Sequence, residues 1–383
     1  MALVDPTPTA SFDQSAVYKL DLSEVLSSIL LDDTDFVSMM GVSNEVATQT
    51  KHSWIEDALN ATTITQTGGN SFLSGTTATV IAFSANISRI TAGTLMKDQL
   101  SGKSEVVQVT AVSGVSATVT RGYGATNGEA HVSGAVWEII SHPRPQGMAG
   151  PKDESTTRSL KSNFTQIFSK GVNLTGTAQS IDHAGISSED DYQIDLRLRE
   201  LKRELDRAVI MGVKAPNDVG ASTYGTLGGI IDWTGWINTG NKTTTAETLT
   251  PSVLNSMIKQ VWDDGGDPDF VLVGGLQKQK VSLFDQEFRR STLDTRRAGY
   301  TVEEFVSDLG INLKVIVDRW VPDDVCIVGD SKKVKILPLK GRAFFLEKLA
   351  KTGDSDQWQI VGEYTMEVRN AAECFAYHNT LKR

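Results

Sequence analysis

The chain has 383 residues, of which 39% are hydrophobic and 22% charged, and its formal net charge is -10 at pH 7. This length can bury a core in two or three lobes, and the composition is that of a globular protein, not a disordered one. The negative balance argues against a protein that wraps nucleic acid through a broad basic face, but it allows a wall that encloses nucleic acid. Residues 1–12 lack the pattern of a secretory signal, and no segment approaches the roughly 18 apolar residues that a membrane helix needs.

Residues 1–47 are predicted to form an extended arm with one short helix. Pro6 and Pro8 prevent a helix at its start, and apolar residues between 17 and 31 then follow at loose helical intervals. Acidic residues at 32–35 interrupt this pattern. A cation site is one hypothesis for them, but the ligand spacing of a calcium loop is missing, so a solvated loop or a helix cap is favoured.

Two strand-like segments follow, residues 48–59 and 159–172, and they flank a different kind of sequence. Such a pair is typical of the two arms of a long hairpin. The first arm contains His52, Glu56 and Asp57. A metal site or an acid–base site is one interpretation of this group, but a lone His beside two carboxylates on a strand is more often a surface pair.

Between Gln66 and Ser141 the sequence is rich in Thr, Ser, Gly, Val and Ala and poor in charge. It predicts a small barrel or sandwich, with strands at 77–83, 105–112, 116–121 and 135–141 and a tight turn at Ser113-Gly114. The segment 142–147, with two prolines, closes this β module. The module has eight charged side chains, which are Arg89, Lys97, Asp98, Lys103, Glu105, Arg121, Glu129 and Glu138.

The glycines of residues 121–128 form a second candidate site, since a Gly-rich loop can cradle a phosphate. This loop does not lead into a helix and has no Gly-Lys-Ser/Thr sequence. Turn chemistry, in which glycine supplies the positive φ angles, is therefore the favoured explanation.

Residues 187–211 carry the strongest helix pattern. Ser187 or Ser188 is a suitable cap, and three acidic residues follow where a helix N-terminus favours negative charge. The pairs Asp195–Arg199 and Lys202–Asp206 are spaced to support the exposed face. One apolar stripe is predicted, formed by Ile194, Leu198, Leu201, Leu205 and Val209.

A Gly- and Trp-rich loop over 217–240 precedes a second helix that starts at Thr250-Pro251 and ends at Gly265-Gly266. A buried strand at 269–273, two glycines and a third helix to about residue 284 follow. Strand, Gly-Gly and helix make half of a dinucleotide-binding signature, but the third glycine and the later acidic residue are missing. A nucleotide-binding enzyme that uses residues 269–284 is therefore kept as an alternative hypothesis.

The last third of the chain predicts a basic loop and a run of strands. The loop at 288–299 carries Arg289, Arg290, Arg296 and Arg297. An inter-subunit contact or a solvated loop is the favoured interpretation, and a DNA contact is the less favoured one. Cys326 and Cys374 stand in apolar runs and are predicted to be buried free thiols, as in a reducing cytoplasm, with a disulfide or a metal-binding pair as the alternative. Helices followed by strands imply an α+β architecture. The predicted strands are 313–317, 325–328, 334–337, 343–346, 358–362 and 367–368.

In its ordered set of features the chain resembles the major capsid proteins of tailed bacteriophages with the Hong Kong 97-type fold, and most closely the SU-ten-like subgroup. The match covers nearly the whole chain, and it depends on the order and spacing of its motifs. The motifs are residues 54–57, 163–167, 200–205, 228–230, 262–269, 308–310, 349–354 and 362–367.

The resemblance implies a Hong Kong 97-type fold with a small all-β insertion domain in the extended loop. The parts that it implies are an N-terminal arm (1–47), the first arm of the extended loop (48–65), the inserted β domain (66–141), the return arm (142–180), a peripheral domain with the spine helix (181–250), an axial domain (251–328) and the peripheral C-terminal strands (329–383).

The resemblance also implies a function without catalysis, in which pentamers and hexamers close into an icosahedral shell around double-stranded DNA. No catalytic, cofactor-binding or metal-binding residue is expected. The expected partners are other copies of the chain, with scaffolding, portal and cementing proteins as further candidates, and the expected location is the virion capsid after assembly in the host cytoplasm. A virion-associated adhesin or tail protein built on the β module is the remaining alternative.

Overall fold

The computed structural model describes residues 34–57, 59, 62–67, 79–83, 87–100, 102–132, 134–147, 155–156, 158–181, 188–217, 224–231, 241–284, 289–291, 303–351 and 353–382. Contacts divide the chain into two compact units. The main unit comprises Met1–Trp54 and Leu160–Arg383, and the inserted unit comprises Ile55–Ser159. The predicted arm helix, Asp32, Asp33, Trp233, Trp236, Arg296 and Arg297 lie outside the described residues.

The helices of the described residues are few and unequal in length. They are α1 (Asp35–Met40), α2 (Gly176–Ser180), α3 (Glu189–Met211), α4 (Pro251–Asp263), α5 (Gly275–Ser282) and α6 (Ala371–Cys374).

The strands are more numerous and are divided among four sheets. They are β1 (Lys51–Glu56), β2 (Thr63–Thr65), β3 (Val80–Ala82), β4 (Leu95–Asp98), β5 (Val106–Ser113), β6 (Ser116–Thr120), β7 (Val136–Ser141), β8 (Ser159–Phe164), β9 (Gln166–Thr175), β10 (Lys242–Thr243), β11 (Phe270–Val273), β12 (Arg289–Ser291), β13 (Glu303–Val306), β14 (Asn312–Val317), β15 (Cys326–Gly329), β16 (Val334–Pro338), β17 (Phe345–Lys348), β18 (Ser355–Val368) and β19 (Phe375–His378).

The inserted unit is a small antiparallel barrel. Its six strands run in the order β2-β7-β4-β5-β6-β3, and a bridge between Gln66 and Phe83 joins the two edge strands. Closure removes the open edges that a free sheet would present. Alternate side chains point inward around Trp137, which is fully buried. The sequence predicted a barrel or sandwich here, but it missed β2 and β4, which have only three and four residues.

β1 and β8, the strands that flank the barrel in sequence, pair with each other as a two-stranded sheet. This confirms the predicted hairpin of two extended segments. β9, which follows β8, is antiparallel to β18 along its whole length. It therefore belongs to the four-stranded sheet of the main unit, in which β16 and β17 pair with the other edge of β18.

A mixed seven-stranded sheet separates two hydrophobic clusters of the main unit. Its order is β10-β19-β15-β11-β14-β13-β12. Along β11, Phe270 and Leu272 belong to the cluster around α1 and α3, whereas Val271 and Val273 belong to the cluster around α4. Both faces of this strand are covered, which explains its continuous apolar sequence.

The long helix is confirmed as α3, with Ser188 as its N-cap, because the Ser188 side chain accepts the Asp191 N–H. The predicted pair Asp195–Arg199 is present at 2.9 Å. The predicted pair Lys202–Asp206 is wrong. Asp206 is fully buried, because it faces α1, whose Val37 N–H donates to its Oδ1.

Several other boundaries differ from the sequence prediction. The two strands expected at 358–362 and 367–368 are one strand, β18, which runs through Gly362. A Cβ at Gly362 would lie 2.4 Å from the Phe344 ring, so this glycine makes room for an aromatic side chain and does not end the strand. The strand expected at 343–346 is β17, shifted to Phe345–Lys348, and part of the basic loop, Arg289–Ser291, is a strand paired with β13.

Candidate functional sites

The strand–Gly-Gly–helix unit at 269–284 lies in a mixed sheet, unlike the parallel sheet of a dinucleotide-binding fold. β11 is parallel to β14 but antiparallel to β15. A Cβ at Gly274 would lie 2.7 Å from the carbonyl oxygen of Val321, so the glycine permits close approach of another backbone segment. The buried Gln277 in the first turn of α5 donates to the carbonyl oxygen of Asp323. These contacts favour packing over nucleotide binding as the reason for the two glycines.

His52 pairs with a buried carboxylate far away in the sequence. Its Nε2 lies 3.0 Å from Oε2 of Glu367 in β18, and Arg369 donates to the other oxygen of Glu367. Burial raises the pKa of Glu367, but the hydrogen bonds from His52 and Arg369 outweigh it and hold the pKa below its ordinary value. Asp57 instead accepts a hydrogen bond from Thr156. The carboxylate that His52 contacts is therefore the buried Glu367, and not a surface partner on its own strand as the sequence interpretation had it.

No group of three or more His, Cys, Asp or Glu side chains within the described part of the chain is placed to hold a metal ion. None of the helices in these residues is both long and apolar enough to cross a membrane. Cys326 and Cys374 are buried free thiols, as predicted. Burial raises the pKa of Cys326 to about 12, which leaves it protonated and poorly nucleophilic at neutral pH.

The Gly-rich loop at 121–128 holds an anion, but that anion is a carboxylate of the same chain. Gly122 and Gly124 have φ angles of 65° and 68°, the conformation that favours glycine. The Gly122 N–H donates to Oε1 of Glu105 at 3.2 Å, and the Glu129 N–H donates to Oε2 at 2.7 Å. The Glu105 carboxylate thus lies where a bound phosphate would have to lie if this loop were a phosphate-binding site.

Glu105 is the centre of a buried ionic cluster in the barrel, formed by Asp98, Glu105, Arg121 and His131. The Arg121 guanidinium donates to both carboxylate oxygens of Glu105, at 2.9 and 2.6 Å. The two ring nitrogens of His131 lie 2.7 Å from Asp98 and 2.9 Å from Glu105. Because an ionised carboxylate only accepts hydrogen bonds, Nε2 of His131 donates to Glu105.

The cluster keeps Glu105 ionised at full burial. Burial raises the pKa of Glu105, but hydrogen bonds from Arg121, the Glu129 backbone and His131 outweigh it and lower the pKa to about 2. Sequence reasoning recorded Asp98, Glu105 and Arg121 only as scattered charges and did not consider His131. The scarcity of charged residues in this β module could have pointed to the cluster, because a charged side chain in a segment that otherwise has few is a candidate for a buried ionic network.

Asn163 joins three elements of the main unit. Its Nδ2 donates to the carbonyl oxygens of Gly228 and Met366 at 3.0 and 2.8 Å. Its Oδ1 accepts from the N–H groups of Gly228 and Phe164 at 2.8 and 2.9 Å. The side chain is fully buried, and all four of its hydrogen-bonding positions are occupied. Asn163 and Gly228 are among the residues that carry the family resemblance, and this contact explains what they do in the fold.

The Gly228-Gly229-Ile230 motif also ends the long helix α3. The N–H groups of Ile230 and Ile231 donate to the carbonyl oxygens of Val209 and Ile210, at 2.8 and 3.0 Å. Carbonyl groups in the last turn of a helix have no partner within the helix. This loop supplies those partners and fixes the direction in which the chain leaves the helix.

We expect Gly229→Ala to destabilise the main unit by about 1–3 kcal/mol, because the added methyl group meets fixed backbone atoms. A Cβ at this position would lie 2.6 Å from the Gly212 nitrogen and 2.7 Å from the Ile210 oxygen. Denaturant unfolding followed by circular dichroism measures the change. Gly275→Ala is the matched control: its Cβ meets nothing within 4 Å, so it should be neutral or slightly stabilising. Equal effects of the two substitutions would contradict the packing argument.

The helices and sheets described above form the Hong Kong 97-type fold. The capsid asymmetric unit of Cyanophage A-1(L) is similar in structure, with a TM-score of 0.54 at 10% identity, over 98% of this chain and 100% of that chain. A family model described as "SU10 major capsid protein" matches residues 7–381. The chain belongs to the SU10 major capsid protein family and is a major capsid protein.

A relative with a curated name agrees with this assignment. The major capsid protein of Escherichia phage Phieco32 is 25% identical over 280 residues, which cover 59% of this chain and 77% of that protein. The predicted family, fold and capsid function are therefore confirmed.

Proposed function

We propose that the chain assembles into pentamers and hexamers that close into an icosahedral shell around double-stranded viral DNA. The observation that carries this proposal is the family match over residues 7–381. The net charge of -10 supports enclosure of the DNA without sequence-specific binding, since a broad basic face would be needed to wrap it. Assembly takes place in the bacterial host cytoplasm, and the role is structural, without catalysis.

Each part of the subunit has a proposed place in this shell. The paired strands β1 and β8 support an extended loop with arms at 48–65 and 142–180 and an insertion at 66–141. The barrel consists of the strands of this insertion together with β2 at the end of the first arm. Helix α3 and the strands β16, β17 and β18 support a peripheral domain over 181–250 and 329–383, and β9 of the return arm pairs with this domain through β18. The cluster around α4 supports an axial domain over 251–328. Residues 1–47 are the N-terminal arm.

The surface of the inserted unit offers apolar side chains for contacts on or between capsomers. Val115, Val132 and Ile140 are 61%, 57% and 51% exposed. Apolar side chains this exposed are candidates for interfaces with neighbouring subunits or with a cementing protein. Scaffolding and portal proteins are further candidate partners of the shell.

Electron microscopy of the purified chain, alone and with its scaffold, tests the proposed assembly. We expect rings, tubes or closed shells. A protein that remains a small monomer under every condition would overturn the proposal.

The insertion is tested with the double variant Val115→Glu and Val132→Glu. We expect the subunit to unfold at the wild-type denaturant concentration, because both side chains are exposed, while assembled particles dissociate at a lower concentration than wild-type particles. Light scattering measures dissociation, and circular dichroism of unassembled subunits measures folding. Thr120→Glu, which also adds a charge at an exposed position of the barrel, is the control. Particles of unchanged stability would show that these side chains make no contact between subunits.

A further inference from the structure

Two buried aspartates meet where the first described helix enters the main unit. Asp206 lies on the inner face of α3, and Asp318 follows the last residue of β14. They are 0% and 1% exposed. Two carboxylates at this depth cannot both keep their charge without compensation, because burial strongly disfavours ionisation and the two charges repel each other.

Both aspartates cap the first turn of α1. The Val37 N–H donates to Oδ1 of Asp206 at 2.9 Å, and the Phe36 N–H donates to Oδ2 of Asp318 at 3.3 Å. Thr34, at the N-cap position, makes no side-chain capping hydrogen bond. Helix α1 is therefore capped by residues distant in sequence, one from α3 and one from the seven-stranded sheet.

The side chain that enters with α1 is part of the core. Phe36 is fully buried, and its ring centre lies 6.2 Å from that of Phe270 in β11. When α1 is packed in this position, which we call seated, its Phe36 side chain lies in the core between α3 and the sheet. A change in the charge of the aspartate pair therefore changes how strongly α1 is held there.

One oxygen of the pair has no partner. Oδ2 of Asp206 is buried and receives no hydrogen bond from any donor among the described residues. The remaining oxygen of Asp318, Oδ1, accepts the Trp320 N–H at 2.8 Å. The Asp206 and Asp318 side chains are within hydrogen-bonding reach of each other. A proton on Asp206 is therefore donated to the Asp318 carboxylate, and it also removes one of the two charges.

We propose that Asp206 and Asp318 share one proton and that this acid–carboxylate pair is a pH-sensitive latch that seats α1 on the spine helix. This inference concerns the folding of one subunit and does not rest on the proposed shell. In the latched state Asp206 is a neutral acid that accepts from Val37 and donates to Asp318. Loss of the proton leaves two buried carboxylates facing each other and weakens the seat of α1.

The direction of the pH dependence follows from the surroundings of Asp206. Burial, the charge of Asp318 and that of Asp35 in α1 raise the pKa of Asp206 from 3.8 to about 8. The nearby guanidinium of Arg207 lies over the Trp320 ring, 3.9 Å from its centre. A raised carboxyl pKa stabilises the seated state fully below pH 3.8, and this contribution is lost as the pH rises toward about 8. Helix α1 is therefore held most strongly at low pH and least strongly above about pH 8.

Asp206→Asn tests the latch, because the amide reproduces the hydrogen bonds of the neutral acid and cannot titrate. Hydrogen exchange of peptides that cover residues 34–40 is compared between variant and wild type at each pH from 5.5 to 9 in the full chain, so that the intrinsic exchange rates cancel. We expect the ratio of wild-type to variant exchange to rise by up to about tenfold per pH unit and to level off above about 8. Asp195→Asn, an exposed change on the same helix, should follow the wild type.

A second measurement detects the proton itself. Wild-type protein near pH 6 should show the infrared absorption of a protonated carboxyl group, which disappears as the pH rises through about 8 and is absent in Asp206→Asn. A flat exchange ratio, or a wild-type spectrum without this band, would overturn the proposal. So would an Asp206→Asn protein that fails to fold, because the amide should fit the site as well as the acid does.

Discussion

Replacing Glu105 with Gln should destabilise the inserted barrel by about 3–5 kcal/mol, the usual cost of removing one partner from a buried ion pair. Arg121 and His131 would then lie buried without the carboxylate that joins them, and the Gly122 N–H would lose its charged acceptor. The effect should be confined to the inserted unit. Hydrogen exchange measures it, with peptides from residues 55–159 losing protection and those from the main unit unchanged.

Glu138→Gln provides the matched control for this experiment. It makes the same chemical change in the same barrel, but Glu138 is exposed on β7, so we expect a change below about 0.5 kcal/mol. If Glu105→Gln were no more harmful than Glu138→Gln, the cluster would not contribute to the stability of the barrel.

The same variant reveals the pH dependence of the cluster. The pKa of Glu105 is lowered from 4.5 to about 2, so its stabilising contribution is complete above pH 4.5 and is lost as the pH falls through about 2. The advantage of wild type over Glu105→Gln should therefore shrink over this acid range. An advantage that stays constant down to about pH 2 would contradict the assignment of the charge to Glu105.

Replacing Asn163 with Ala should destabilise the main unit by about 3 kcal/mol or more. The substitution leaves the N–H and carbonyl of Gly228 and the carbonyl of Met366 buried without partners, and each such group costs about 1–3 kcal/mol. Because Gly228 adjoins the residues that cap α3, the C-terminal end of α3 should also lose protection. Denaturant unfolding gives the free energy, and hydrogen exchange of residues 205–212 gives the local effect.

Asn173→Ala is the control for Asn163, since Asn173 is exposed on β9 in a neighbouring part of the same unit. We expect little change in its unfolding free energy. If Asn163→Ala were equally mild, bound water would be satisfying the groups around position 163, and the junction would not depend on the amide.

The acidic residues show how far sequence reasoning reaches. Spacing alone placed Asp195 and Arg199 correctly as a surface pair, because contacts four residues apart on a helix follow from helix geometry. The same spacing failed for Lys202 and Asp206. Its failure depended on α1 and on Asp318, which is more than a hundred residues away in the chain, and helical periodicity contains no information about such partners.

By itself the sequence determined the local elements with strong patterns: α3, α4 and their caps, the continuous apolar strand β11, and a β module poor in charge between two paired arms. Periodicity, capping residues and turn glycines act over a few neighbouring residues and can be seen in the chain. The ordered motifs also determined the family. Tertiary structure alone decided the buried ionic cluster around Glu105, the Asn163 junction and the Asp206–Asp318 pair. The reason is physical: the charge state and the hydrogen bonds of a buried polar group depend on partners that folding brings together from distant parts of the chain.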